Sequence, residues 1–222
     1  ATTVLLVSFV SASLMNLTQT LGVILGANIG TTLTVQLISL KVSDYALLLV
    51  AMGFLMRFIN KKPGLKEMGG VIMGFGFIFY GMKIMSDSMV PLRSVPAFTQ
   101  LIATLGKNPI LGTLIATLFT AIIQSSAATL GLAISLASQG LLPLEAAIPI
   151  IFGSNIGTCA TAILSSIGVG QEAKKVAVAH TLFKILGVIL FFPFISLLTD
   201  IMQQMDGSMA RKIANTHTIF NL

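Results

Sequence analysis

The chain has 222 residues, of which 55% are hydrophobic and only 9% are charged, and its formal net charge is +6. Soluble domains carry about a quarter of their residues as charged side chains, so this composition excludes a soluble enzyme and a disordered segment. An excess of lysine and arginine is typical of the cytoplasmic loops of membrane proteins. Because no basic run is interleaved with aromatic residues, we expect no nucleic-acid partner.

Three long stretches lack Asp, Glu, Lys and Arg altogether, namely residues 1–40, 108–144 and 146–171. A membrane-spanning helix needs about 20 apolar residues, so each stretch is long enough to cross or re-enter a bilayer. Inside lipid the backbone must satisfy its own hydrogen bonds, which favours helices. The sequence therefore predicts an all-α polytopic membrane protein surrounded by a lipid bilayer.

Apolar runs and polar breaks divide the chain into predicted elements. The first part gives the end of an apolar helix at 1–14, a span at 18–40 interrupted at 26–30, a short span at 44–58, a basic turn at 60–67 and a glycine-rich span at 69–90. The second part gives an amphipathic segment at 95–106, apolar runs at 109–123 and 127–142, a span at 144–167 broken at 153–157 and a last complete span at 176–198. In the glycine-rich span, Gly70 and Gly74 are spaced for close helix packing.

An internal repeat relates the two parts at an offset of 127 positions. Residues 1–37 align with 128–164 without a gap, and 15 of these 37 pairs are identical. The best block sets Gly-Ala-Asn-Ile-Gly-Thr at 26–31 against Gly-Ser-Asn-Ile-Gly-Thr at 153–158. Apolar composition alone would not produce such a match, so the sequence indicates a duplication.

The repeat predicts an inverted topology. Three complete crossings (18–40, 44–58 and 69–90) separate the copies, and an odd number turns the second copy over. Inverted repeats with interrupted helices are typical of secondary transporters, whose binding site lies near the midplane. We assign 1–68 to the first repeat, which is expected to lack its N-terminal part, and 69–198 to the second, with a loop and the start of a further helix at 199–222.

Gln124-Ser125-Ser126 separates two apolar runs that are each too short to cross the ~30 Å hydrocarbon core. This pattern predicts a re-entrant hairpin over 95–142 whose tip lies at membrane depth, where irregular backbone must be buried or line a wet cavity. A helix that begins after the tip would direct free N–H groups at an anion. The alternative is a helix cap in which serine bonds only backbone.

Asn28 and Asn155 lie in the two glycine-flanked blocks of the repeat. Glycine permits unwinding and close backbone approach, so we expect unwound carbonyls there which, with Thr31 and Thr158, coordinate a cation. A role of these blocks in packing alone is the alternative.

The Gln-Ser-Ser motif, the two Asn-Ile-Gly-Thr blocks and their duplication resemble the type II sodium/phosphate cotransporter family over nearly the whole chain. That family carries an inverted pair of Gln-Ser-Ser-Ser motifs at the tips of two re-entrant hairpins, whereas Ala127 stands here in place of the third serine. The resemblance implies sodium-coupled transport of inorganic phosphate by alternating access in the plasma membrane, which is the inner membrane of a bacterium. It implies no enzyme activity, no cofactor besides sodium as the coupling ion, and a possible homodimer.

The residues that the motifs and the resemblance single out fall into two overlapping sets. Substrate or ion contacts are expected from Gln124, Ser125, Ser126, Thr129, Asn155, Thr158, Asn28, Thr31 and Thr2. Candidate sodium ligands are Gln124, Ser125, Asn28, Asn155 and Thr161.

The charge pattern bears on the mechanism. None of the three charge-free stretches offers a Lys or Arg to phosphate, and an unpaired buried charge costs several kcal/mol, so sodium ions are expected to supply the positive charge. A phosphate exporter or a carrier of another small oxyanion is the nearest alternative. An ion channel should show a continuous polar stripe on several helices, and an intramembrane hydrolase would need His180 or His217 as a base beside Ser125 or Ser126.

Overall fold

The structure is a computed structural model that describes residues 2–40 and 42–222. Its regular elements are helical, and the described residues contain no strand. The helices are α1 Thr2–Ser11, α2 Leu17–Ile38, α3 Ala46–Ile59, α4 Pro63–Met89, α5 Pro96–Lys107, α6 Pro109–Ile123, α7 Ser126–Ser138, α8 Leu144–Gly157, α9 Cys159–Ser165, α10 Gln171–Phe191, α11 Ile195–Gln204 and α12 Met209–Asn221. Short 3-10 turns at Val90–Ser94 and Phe192–Phe194 extend α4 and join α10 to α11.

Four helical segments within the described residues are long and apolar enough to cross a membrane: Leu17–Ile38, Pro63–Ser94, Leu144–Ser165 and Gln171–Gln204. A fifth is formed if α5 and α6, which meet at a bend of 114°, count as one span. Large apolar side chains on the outside remain exposed, for example Ile122 at 73% and Ile167 at 72%. Such a surface suits lipid rather than water, and the predicted all-α polytopic membrane fold is confirmed.

The core is built around α7 and α8. Leu130 and Ile134 of α7 and Ile148 and Phe152 of α8 are almost completely buried. Helices α2, α5, α11 and α12 pack around this pair and add further buried side chains to the same cluster. Because α8 is enclosed on most sides, polar residues on it face the interior of the protein rather than lipid.

The duplication is also present in the secondary structure. A shift of 127 positions places the first and last residues of α2 on the first residue of α8 and the last residue of α9. The same shift places Ser11, the end of α1, on Ser138, the end of α7. The two copies therefore have matching helix boundaries, although α2 is continuous where the second copy has α8 and α9.

The predicted interruption of the first copy at 26–30 is wrong, and that of the second copy lies one residue beyond the predicted 153–157. Helix α2 continues through residues 26–30, and the second copy departs from helix only at Thr158, between α8 and α9. A glycine inside a helix destabilises it by about 1 kcal/mol relative to alanine. Unwinding the helix in an apolar environment would leave backbone groups unpaired at several kcal/mol each, so the helix is retained.

Glycines in the second copy serve packing instead. A Cβ atom on Gly157 would lie 2.5 Å from Cβ of Thr120 and 2.6 Å from the carbonyl oxygen of Thr117, both on α6. Close packing of α3 against α4 likewise uses Gly53, Gly69 and Gly76, because a Cβ on each would strike the neighbouring helix. Of the predicted pair in α4, a Cβ on Gly70 would meet only the flexible Arg57 side chain, and one on Gly74 would meet no described atom.

Gln124-Ser125-Ser126 forms the predicted break between α6 and α7. Gln124 adopts a left-handed backbone (φ 60°, ψ 24°) after the last turn of α6. Ser125 caps α7 by accepting a hydrogen bond from the amide of Ala128 at 3.2 Å. Helices of 15 and 13 residues measure about 22 and 20 Å, shorter than the hydrocarbon core, and the membrane depth of this tip stays a prediction.

The end of the chain contains the predicted further helix. Residues 199–204 complete α11, a short loop follows at 205–208, and α12 occupies Met209–Asn221. Helix α12 packs against α2 and α8, so it belongs to the same helical body.

Candidate functional site

A polar cavity of about 460 Å³ lies between the two copies of the repeat. Its walls come from α1 and α2 on one side and from the α6–α7 turn, α8, α9 and α10 on the other. The residues that line it are Thr2, Thr3, Ala27, Asn28, Gly30, Thr31, Thr34, Gln124, Ser125, Ser126, Ala127, Asn155, Thr158, Thr161, His180 and Lys184.

This cavity brings together the residues predicted from both motifs. The Gln-Ser-Ser turn supplies three of them, and each copy of the repeat adds its asparagine and the following threonine. The predicted residues that line the cavity are Thr2, Asn28, Thr31, Gln124, Ser125, Ser126, Asn155, Thr158 and Thr161. Segments that lie more than 100 positions apart in the sequence thus meet at one place.

Thr129 is placed differently from the other predicted contacts. It is 3% exposed, does not line the cavity, and shares a 2.8 Å hydrogen bond with the buried hydroxyl of Thr120. The pair joins α6 to α7 behind the Gln-Ser-Ser turn. The hydrogen bond between Thr120 and Thr129 therefore holds α6 and α7 together next to the turn.

The two asparagines have matching backbone environments. Thr31 Oγ1 donates to the carbonyl of Asn28 at 2.7 Å, and Thr158 Oγ1 donates to the carbonyl of Asn155 at 2.7 Å. Because these carbonyls lie within helices and already accept hydroxyl groups, they are not the unwound ion ligands that the glycines suggested. Side chains, rather than freed backbone, form the polar wall.

Lys184 is the functional candidate that the sequence reasoning missed. It lies in α10, is only 4% exposed, and is the one Lys, Arg, Asp or Glu among the described residues that line the cavity. Its Nζ donates to Oδ1 of Asn155 at 2.7 Å and to Oδ1 of Asn221 at 2.8 Å. The interior therefore holds a positive charge that the charge-free stretches did not reveal.

A signal for Lys184 was present in the sequence. It is a single lysine in the mostly apolar segment 176–191, which also contains His180 and Thr181. An ionisable residue inside a membrane helix indicates a functional site by default, and Lys184 lies outside the three stretches that lack charge.

His180 lies one helical turn before Lys184 and also lines the cavity. Its Nδ1 has no hydrogen-bond partner among the described residues, and Ser125 Oγ instead accepts from a backbone amide. The described residues therefore show no serine–histidine pair of the kind that a hydrolase requires.

The sequence model of the Na+/Pi-cotransporter family matches residues 1–87 and 90–218, nearly the entire chain. The chain belongs to the Na+/Pi-cotransporter family. Together with the long apolar helices, this membership confirms a multi-pass membrane protein, which in a bacterium lies in the inner membrane.

Individual relatives span this family. The chain is 33% identical over 219 residues to the uncharacterized protein YqeW of Bacillus subtilis, which covers 99% of this chain and 71% of YqeW. It is 28% identical over 222 residues to the putative inorganic phosphate export protein YjbB of Escherichia coli, which covers all of this chain but 41% of YjbB. Human sodium-dependent phosphate transport protein 2B is 38% identical over 92 residues, which are 39% of this chain and 13% of that protein. No solved structure shows a significant match.

Proposed function

We propose that this chain forms the substrate-binding part of a sodium-coupled transporter of inorganic phosphate that works by alternating access. The observation that carries the proposal is Lys184, a buried cation in a polar cavity without an acidic residue among its described lining. A single uncompensated positive charge favours an anionic substrate. Family membership and the names of YjbB and transport protein 2B support phosphate as that anion.

The turn between α6 and α7 provides the second element of anion binding. The N-terminus of α7 faces the cavity through Ser125 and Ser126. Free N–H groups and a partial positive charge of roughly half an elementary charge at a helix N-terminus favour an anion. Hydroxyl and amide groups of the turn then donate hydrogen bonds to phosphate oxygens.

Sodium supplies the charge that Lys184 does not. Phosphate at neutral pH is partly a dianion, and one ammonium group neutralises half of that charge. Burying the remainder unpaired would cost several kcal/mol, so binding of a cation together with phosphate lowers the free energy of the loaded state. The relative named as sodium-dependent supports sodium as that cation.

The repeat supports alternating access. Equivalent helices of the two copies, α1–α2 and α7–α9, contribute to the cavity from both sides. In transporters built from inverted repeats, rocking of one copy against the other opens a midplane site to each side in turn. The cavity lies where such a motion would act.

Uptake of radiolabelled phosphate into proteoliposomes that contain the complete protein tests this function. A sodium gradient should drive accumulation, and replacement of sodium by choline should abolish it. Phosphate uptake that proceeds equally in choline would contradict sodium coupling, and a failure to carry phosphate under either condition would contradict the substrate.

Phosphate export is the second candidate, and a specific observation favours it. Escherichia coli YjbB, which aligns over all 222 residues, is named as a putative inorganic phosphate export protein. Cells loaded with labelled phosphate distinguish the two directions, because an exporter accelerates loss of label when the protein is expressed, whereas an importer accelerates gain.

A further inference from the structure

Asn28 and Asn155 occupy equivalent positions in the two copies of the repeat, and both line the polar cavity. They are 7% and 3% exposed, and the carbonyl of each accepts a threonine hydroxyl at 2.7 Å. The two asparagines therefore have the same local backbone geometry. Any difference between them arises from tertiary neighbours.

Those neighbours differ in charge. Nδ2 of Asn155 donates to the carbonyl of Ile151 at 3.0 Å, and its Oδ1 accepts from the ammonium of Lys184 at 2.7 Å. Nδ2 of Asn28 has no hydrogen-bond partner among residues 2–40 and 42–222, although it is buried. The hydrogen bonds of Lys184 go to Asn155 and Asn221 and none reaches Asn28, so the second amide is bonded to a cation and the first is not.

A lysine ammonium group and a sodium ion can both bind the oxygen of such an amide. Each carries one positive charge and is attracted to a neutral amide oxygen. The ammonium of Lys184 has three protons, of which two point to the oxygens of Asn155 and Asn221. The third is available to an anion in the cavity.

We propose that Lys184 is a tethered cation that takes the place of one coupling ion at Asn155, and that a dissociable sodium ion binds at the equivalent amide of Asn28. The ion is held by the amide oxygen Oδ1 of Asn28, because the Nδ2 group is a donor and does not bind a cation. This inference rests on the proposed function. With both cations in place the cavity holds two positive charges, which balance a phosphate dianion.

Neutralising the tethered cation should create a requirement for one more sodium ion. The test compares Lys184→Gln with Lys184→Arg and with Lys174→Gln, which alters an exposed lysine of the same helix. Phosphate uptake is measured against sodium concentration in proteoliposomes. Lys184→Gln should show half-saturation at higher sodium and a Hill coefficient larger by about one, whereas Lys184→Arg and Lys174→Gln should keep the wild-type Hill coefficient.

Two outcomes would overturn the proposal. If Lys184→Gln lowers the maximal rate of uptake while its Hill coefficient and half-saturating sodium concentration are unchanged, the lysine is structural. If only the KM for phosphate rises, the lysine is an anion ligand that replaces no ion.

A second measurement does not depend on the lysine variants. Equilibrium binding of radioactive sodium to purified protein should lose one bound ion in Asn28→Ala and none in Asn155→Ala, and equal losses in both would contradict the asymmetry. Wild-type protein that carries no phosphate at any sodium concentration would contradict the proposed function. The number of sodium ions bound by the wild-type, Asn28→Ala and Asn155→Ala proteins would still test this inference.

Discussion

Gly153 of α8 and Ala116 of α6 approach so closely that a Cβ atom on the glycine would lie 2.6 Å from the Cβ of Ala116. The same added atom would lie 2.8 Å from the backbone nitrogen of Thr117. Since backbone cannot move as a flexible side chain does, any larger residue at 153 forces α6 away from α8. The arm that carries the Gln-Ser-Ser turn is therefore positioned by a glycine of the second repeated block.

Gly153→Ala should lower stability. Overpacking of a close contact costs typically 1–3 kcal/mol, and displacement of α6 should also disturb the cavity. Thermal unfolding of the purified protein in detergent measures the effect. The matched control is Gly131→Ala in α7, where a Cβ would meet no described atom within 4 Å, and an equal loss of stability in both variants would contradict the packing role of Gly153.

Ser126→Ala should weaken the apparent affinity for phosphate or sodium about ten-fold or more. Loss of a hydrogen bond to a charged group costs roughly 1.5–3 kcal/mol, and each 1.4 kcal/mol corresponds to a factor of ten. Uptake kinetics at matched expression measure it. The control is Ser135→Ala, because Ser135 is buried outside the cavity and its Oγ has no partner among the described residues, so unchanged kinetics in Ser126→Ala would remove that serine from the site.

Thr129→Val should reduce stability while leaving transport affinity nearly unchanged. The substitution leaves the buried hydroxyl of Thr120 without its partner, at a cost of about 1–3 kcal/mol. The double variant Thr120→Val/Thr129→Val should cost less than the sum of the single changes, because neither hydroxyl is then left unpaired. A ten-fold loss of phosphate affinity in Thr129→Val at normal stability would instead return this residue to the substrate site.

Single cysteines at Lys62, Lys174 and Asp87 should report the inverted topology. All three positions are exposed, and the buried Cys159 is first replaced by alanine. The positive-inside rule places Lys62 and Lys174 in the cytoplasm, so an impermeant thiol reagent should label both only from that side and Asp87 only from the other. Labelling of Lys62 and Lys174 from opposite sides would contradict the inversion.

Several features were predictable because they depend on residues that are close together in the sequence. Hydropathy over about 20 residues identified most of the spans, and the 127-position repeat correctly paired α2 with α8 and α9. The polar triplet marked the break between α6 and α7, because polar side chains separate two short apolar runs there. Residue types at these motifs also identified most of the cavity wall.

Other features depended on contacts between distant segments. The glycines of α8 have the same sequence signature whether a helix unwinds there or a neighbour packs there, and only the position of α6 decides between the two. Lys184 meets Asn155 across 29 positions and Asn221 across 37, and no local pattern says which way a single lysine of an apolar helix points. The sequence alone determined which segments are helices and which polar groups are unusual for a membrane interior. Only the tertiary structure decided which of those groups share a cavity and where its charge lies, because burial and electrostatic pairing are properties of packed helices rather than of any one of them.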